Sequence, residues 1–178
     1  LQEIGARYSL KTGGLEYQRL VRIENTGWDE SIYPRYSTNP VELQMQWAIQ
    51  YDKEDFIGKS AVVELSRNGA QRKLIGISPC DECCQIDSDD LVMVNGQQVG
   101  VIINATYSPA RQAWIALALI DECYALADIS GFSLKTANGE IAAKTQNLPF
   151  IYNLSLLVNP TTHSFVDASK AKSAFATV

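Results

Sequence analysis

The sequence is short of the residues that usually mark metal, redox and histidine chemistry. Its 178 residues include one histidine, four cysteines and two methionines. Four cysteines are too few for a disulfide scaffold at this length, so a packed core has to hold the fold and a reducing compartment is expected. No apolar run approaches the ~20 residues that a membrane-crossing helix needs. Basic charge is also scarce: Lys plus Arg is 15 against 20 for Asp plus Glu, a formal net of −5. Such a chain has no global attraction to phosphate backbones or anionic lipid, which argues against nucleic-acid and membrane partners. The chain opens on Leu1 rather than Met, which reads as a start inside a longer protein or after processing, and its first residues show no signal-peptide pattern. A cytoplasmic location is expected, or the mitochondrial matrix in a eukaryote.

Several familiar sites are missing as well. Gly58-Lys59-Ser60 resembles the end of a phosphate-binding loop, but that loop needs Gly five positions before Gly58, where Lys53 stands. No G-x-G-x-x-G occurs. Cys80, Cys83 and Cys84 form C-x-x-C-C without a second pair to complete a tetrahedral zinc site, so reduced loop thiols or an opportunistic disulfide are expected. The acidic loop around Asp81, Glu82, Asp87, Asp89 and Asp90 has Val92 and Gln98 where a calcium loop counted from Asp87 needs Gly and Glu. It reads as a solvated surface. His163 sits in a polar tail, a poor platform for a nucleophilic triad.

What is present is 46% apolar side chains, enough for one globular domain or two small ones. Leu1, Ile4 and Tyr8 are spaced as one face of a helix, with Gly13-Gly14 as its stop. Residues 19–24 alternate, with Val21 and Ile23 on one side and Arg22 and Glu24 on the other, which predicts a strand with a polar face. Residues 25–40 read as a long polar and aromatic loop, Met45 to Tyr51 as another strand, and Ser60 to Asn68 as a helix capped by Ser60 and stopped by Gly69. From about Lys73 short apolar runs follow one another: 74–77, then 91–94 and 97–105 about Asn95-Gly96, the strongest short hairpin signal. Trp114-Ile120 is apolar on both faces and should be buried. Residues 132–136 and 140–145 flank another turn, and 148–158 is a candidate last strand. The pattern predicts a small antiparallel barrel or sandwich. The division expected is 1–70 as mixed α/β material, 71–158 as an all-β module and 159–178 as an extended tail.

Arg22 and Glu24 offer the first chemistry. A carboxylate can accept two N–H bonds from an aminopyrimidine-like edge as it does from arginine, although a surface ion pair explains the same two residues. The longer string is more specific. After Arg22-Ile23-Glu24 come Thr38-Asn39-Pro40-Val41-Glu42, Trp47, Asp52-Lys53-Glu54-Asp55-Phe56-Ile57-Gly58-Lys59, Arg72-Lys73-Leu74-Ile75-Gly76, Val99-Gly100-Val101, Thr106-Tyr107-Ser108-Pro109, Ile115-Ala116-Leu117-Ala118 and Leu148-Pro149-Phe150. In order and spacing, residues 19–152 resemble the C-terminal half of the glycine cleavage T-protein family, tetrahydrofolate-dependent aminomethyltransferases. Folate-dependent demethylases and dimethylglycine- or sarcosine-oxidising enzymes share that half.

The resemblance implies an α+β fold, in which a partial folate-binding α/β region is followed by a C-terminal antiparallel β-barrel. It implies tetrahydrofolate as cofactor, with Glu24 on the pterin. Lys53 falls near the tail carboxylates, where some members carry Arg, and Arg22 and Tyr152 are further contacts. Trp47 matches a family aromatic expected to pack rather than touch ligand. Implied partners are the missing N-terminal half, which carries the family's essential aspartate, and the lipoyl-carrying H protein. The chain departs from the family at Asn25-Thr26-Gly27-Trp28-Asp29 and at Leu43-Gln44-Met45-Gln46. Three functions follow: the C-terminal portion of a one-carbon transferase, a non-catalytic folate-binding accessory protein, or the end of a dimethylglycine- or sarcosine-oxidising enzyme.

Overall fold

A computed structural model describes residues 1–8, 10–81 and 84–151. Its centre is a closed six-stranded antiparallel barrel. The strands are β1 (Arg72–Pro79), β2 (Leu91–Val94), β3 (Gln97–Ser108), β4 (Ala113–Asp121), β5 (Ser130–Thr136) and β6 (Gly139–Gln146). They run around the barrel in the order β1-β4-β3-β2-β5-β6, and β6 closes onto β1. Three helices precede it: α1 (Gln2–Gly5), α2 (Leu15–Glu24) and α3 (Lys59–Asn68). The expected barrel and α+β class are in place.

The strand reading was sound where residue type and turn chemistry agreed. Asn95 and Gly96 both take positive φ, as a tight primed turn requires, and join β2 to β3. The two-sided apolar run becomes β4. Ala116, Ala118 and Ile120 fill the barrel, while Ile115, Leu117 and Leu119 pack outward against Ile23, Tyr33, Leu43 and Phe150. In β3, the register against β4 slips between Ile102 and Asn104. This bulge inserts Ile103, so Ile102 and Ala105 both face the barrel core while Ile103 joins the outer cluster. Gly100 lies where a Cβ would come within 2.6 Å of the Leu119 carbonyl oxygen, so β3 and β4 approach closely there.

Four expectations upstream are corrected. Residues 19–24 are not a strand but the last turns of α2. Six residues alternate by chance within a longer helical pattern. Leu, Glu, Gln and Arg favour helix, Glu16 and Arg22 suit the helix dipole, and Ile23 and Glu24 bury adjacent positions against the barrel. Residues 45–51 hold only a 3-10 turn, Gln46–Ala48, after Gln44 at φ +55 has broken the extended path. The opening helix stops at Gly5, and Gly14 instead begins α2. Ser60 does not cap α3, which starts after Gly58 at φ +89, whereas Gly69 does end it at φ +76. Among the described residues, the first seventy therefore carry no strand. Residues 148–151 are not a strand either; the rest of the expected last strand, Tyr152, the tail and His163 lie outside the described residues.

Candidate functional site

Helix α2 lies along β3 and is fixed to it by polar side chains. Near its middle, Arg19 donates through Nη2 to Asn104 Oδ1 at 3.2 Å and to the Ala105 carbonyl at 3.3 Å. At its end stands Glu24, only 7% exposed, whose Oε1 accepts the Ser108 hydroxyl at 2.6 Å. Ser108 Oγ itself accepts the Arg111 backbone N–H at 3.3 Å, so its single proton is left for the carboxylate. The Glu24 backbone carbonyl accepts the Ile151 N–H, and Arg111 Nη1 donates to the Phe150 carbonyl. The Leu148-Pro149-Phe150 segment is thereby drawn back over the end of α2.

Arg22 and Glu24 do not share a face. The Arg22 guanidinium turns outward to Asp29 at 3.3 Å. Asp29 also accepts the Ser31 hydroxyl at 2.6 Å and the Ser31 N–H at 3.0 Å, and these bonds, with Arg22 beside it, hold its carboxyl below the usual range against the opposing effect of burial. Burial pushes the Tyr33 hydroxyl well above its ordinary pKa, with the Asp29 charge adding to it. The T-N-P-x-E string has a visible structural task. Asn39 Oδ1 accepts the Val41 N–H, and Glu42 accepts the Ser37 hydroxyl at 2.6 Å and Arg72 at 3.2 Å, tying the loop to the first barrel strand.

Helix α2 ends in a Schellman-type reversal. Gly27 N–H bonds to the Arg22 carbonyl and Thr26 N–H to the Ile23 carbonyl. The left-handed position of that motif usually holds Gly, but here it holds Thr26 at φ +56. This turn forms one wall of a cleft of about 500 Å³. Its lining runs through Asn25–Trp28, Tyr33, Leu43–Met45 and Trp47 to Leu74, Leu148 and Pro149. Trp28 stacks on Tyr33 with centroids 5.0 Å apart and planes 19° from parallel. Trp47, expected to pack, is 84% exposed at the cleft. Gln44 Nε2 donates to the Leu74 carbonyl. None of the lining residues is ionisable near neutral pH.

The structure therefore separates the expected site residues. Glu24 is buried and does not line the cleft; Lys53 is exposed in a loop and is not among the lining residues; Arg22 is paired with Asp29; Tyr152 lies outside the described residues. Sequence reasoning missed Ser108, although it stands in the quoted Thr106-Tyr107-Ser108-Pro109 string. It also missed Thr26 and Gln44, whose only trace was the departure from the family pattern at 25–29 and 43–46. Among the described residues, no group of three or more His, Cys, Asp or Glu side chains could hold a metal ion, and no helix is long and apolar enough to cross a membrane.

These features define a closed antiparallel barrel braced on one side by a helix that carries a buried carboxylate. Residues 72–151 match the family of the glycine cleavage T-protein C-terminal barrel domain. The chain is 31% identical over 157 residues to an aminomethyltransferase from Bacillus cereus (strain B4264) and, equally, to one from Bacillus anthracis (strain A0248). The matches cover 84% of this chain but 41% of each relative, so the chain spans well under half of their length. Its fold superimposes on the glycine cleavage system aminomethyltransferase T from Bartonella henselae with a TM-score of 0.73 at 20% identity, covering 84% of this chain and 42% of that one. The barrel, residues 72–151, belongs to the glycine cleavage T-protein C-terminal barrel domain family.

Proposed function

We propose that this chain is the C-terminal part of a tetrahydrofolate-dependent aminomethyltransferase-like protein, acting where a soluble glycine-cleavage enzyme acts, in the cytoplasm or the mitochondrial matrix. In this reading residues 1–70 contribute to the folate-binding region, and the module expected over 71–158 contains the barrel, whose strands run from Arg72 to Gln146. The observation that supports this reading is Glu24. A carboxylate so far removed from water should collect several donors, yet among the described residues it has one, the Ser108 hydroxyl on Oε1. Its second oxygen suits the N–H edge of a pterin ring, an acceptor–donor match of the charged kind.

Tetrahydrofolate, when bound, supplies the ring nitrogen that accepts the one-carbon unit. The chain's own part is placement. Ser108 fixes the rotamer of Glu24, Glu24 orients the ring edge, and the barrel shields one side of the site from water. Lys53 meets the carboxylates of the folate tail as a point charge without the bidentate fork of Arg. Arg22 keeps its pair with Asp29 and has further N–H groups for the ligand; Tyr152, outside the described residues, is the further contact that the family resemblance assigns. An upstream half supplies the acid–base aspartate and covers Leu1, Ile4, Leu15 and Tyr17, which this chain leaves exposed. The lipoyl-carrying H protein is the proposed donor of the aminomethyl group.

The test is calorimetric titration of tetrahydrofolate. Glu24→Gln should weaken binding by ~1–3 kcal/mol, the scale of a hydrogen bond to a charged group. Unchanged affinity would remove the role assigned to Glu24.

A further inference from the structure

The turn from β3 to β4, residues 109–112, accepts backbone strain and presents one side chain to a distant segment. Gln112 takes φ +53 there, a left-handed conformation that glutamine does not favour and that persists only where surrounding structure enforces it. Just before it, the Ser108 hydroxyl accepts the Arg111 N–H and closes the turn. Arg111 is exposed, yet among the described residues no carboxylate pairs with it. Its Nη1 donates instead to the Phe150 carbonyl at 2.8 Å, and its guanidinium carbon lies 6.0 Å from the centre of the Phe150 ring.

The segment that Arg111 holds is anchored at two further points. The Phe150 ring, 6% exposed, sits where Gly76 of β1 leaves room: a Cβ there would come 2.8 Å from Phe150 Cε1. The Ile151 N–H reaches the Glu24 carbonyl at 3.2 Å. Arg111 therefore closes a circuit about residue 24. Its backbone N–H acts through Ser108 on the Glu24 carboxylate, and its guanidinium acts through Phe150 and Ile151 on the Glu24 main chain. Arg111 belongs to neither apolar cluster, so this link is not needed to pack the barrel.

We propose that Arg111 is a positioning residue for the Glu24 site: its guanidinium latches residues 148–151 across the end of α2, and the latch holds Glu24 in the orientation that meets the ligand. The proposal rests on the reading that Glu24 contacts the pterin, and adds the residue that acts on Glu24 without touching the ligand. Lysine at this position keeps an N–H donor for the Phe150 carbonyl but loses the planar guanidinium over the ring; alanine keeps only the backbone bond to Ser108.

Two measurements on the chain joined to its upstream half test this. In hydrogen-exchange mass spectrometry, Arg111→Ala should speed amide exchange at residues 148–151 about fivefold or more and leave the β4 amides unchanged. In calorimetry it should weaken tetrahydrofolate about fivefold or more, and Arg111→Lys should recover most of both losses. On a Glu24→Gln background, Arg111→Ala should add less than about twofold, because the arginine acts through Glu24. Unchanged exchange at 148–151 overturns the proposal. So does a loss of affinity that adds in full to that of Glu24→Gln, since the arginine would then act independently of Glu24. If Glu24→Gln weakens tetrahydrofolate and Arg111→Ala does not, the positioning role falls and the Glu24 reading survives. If tetrahydrofolate is indifferent to Glu24→Gln, both fall, and faster exchange at 148–151 reports a structural clasp alone.

Discussion

Ser108 shows how much one hydroxyl can settle. It is fully buried, it accepts the Arg111 N–H, and it donates its hydroxyl hydrogen bond to Glu24. Removing it leaves a largely buried carboxylate with no side-chain or backbone donor among the described residues. Ser108→Ala should therefore destabilise the chain by ~1–3 kcal/mol, measured by urea denaturation, while Ser108→Thr should lose less because it keeps the hydroxyl. Thr26 predicts the opposite sign. A β-branched residue in the left-handed region costs about 1–2 kcal/mol relative to glycine, and its hydroxyl is buried with no partner among the described residues. Thr26→Gly should raise stability by ~1 kcal/mol, seen as a rise of about 2–4 °C in Tm for a chain of this size. A lower Tm would show that the threonine side chain supports the turn. The role of Ser108 was invisible in the sequence because it depends on a partner far along the chain: Glu24 and Ser108 are 84 positions apart.

At the scale of elements, the hairpins and the apolar strands were readable because their signals are local. Asn95-Gly96 encodes its own turn, and β4 has apolar residues on both faces because it serves two cores at once. Helix α2 was misread as a strand because a six-residue window does not separate a period of two from one of 3.6. The closest strand contact gives a sharp test. A methyl group at position 100 would sit 2.6 Å from the Leu119 carbonyl and 2.8 Å from Ile120 Cα, both backbone atoms that cannot swing away. Gly100→Ala should cost ~2–3 kcal/mol in equilibrium unfolding by forcing β3 and β4 apart. Gly96→Ala, with open space around the added methyl but φ +78, should cost less, through backbone conformation alone.

At the scale of the whole molecule, acid response follows from two carboxylates with opposite shifts. Asp29, held down chiefly by the Ser31 hydroxyl, has a folded pKa below its unfolded 3.8. Its contribution is present above that value and is lost as pH falls through the lower folded one. Asp90 is raised by desolvation, so its charge costs stability near neutral pH, and that cost disappears as pH falls through its folded pKa. Asp29→Asn should lower Tm at pH 7, and the gap from wild type should narrow below about pH 4 in a pH series of thermal melts. The isolated chain should also show no steady-state aminomethyl transfer, since the acid–base aspartate is proposed to lie upstream; turnover by these 178 residues alone would contradict that.

The sequence by itself determined the barrel, its hairpins and the family resemblance, because turn dipeptides, strand patterning and ordered motifs are properties of neighbouring residues. The tertiary structure decided the rest. It placed Glu24 on a helix and against Ser108, sent Arg22 to Asp29, and left Trp47 in the open beside a neutral cleft. Those outcomes depend on which distant segments pack together, and no local pattern carries that information.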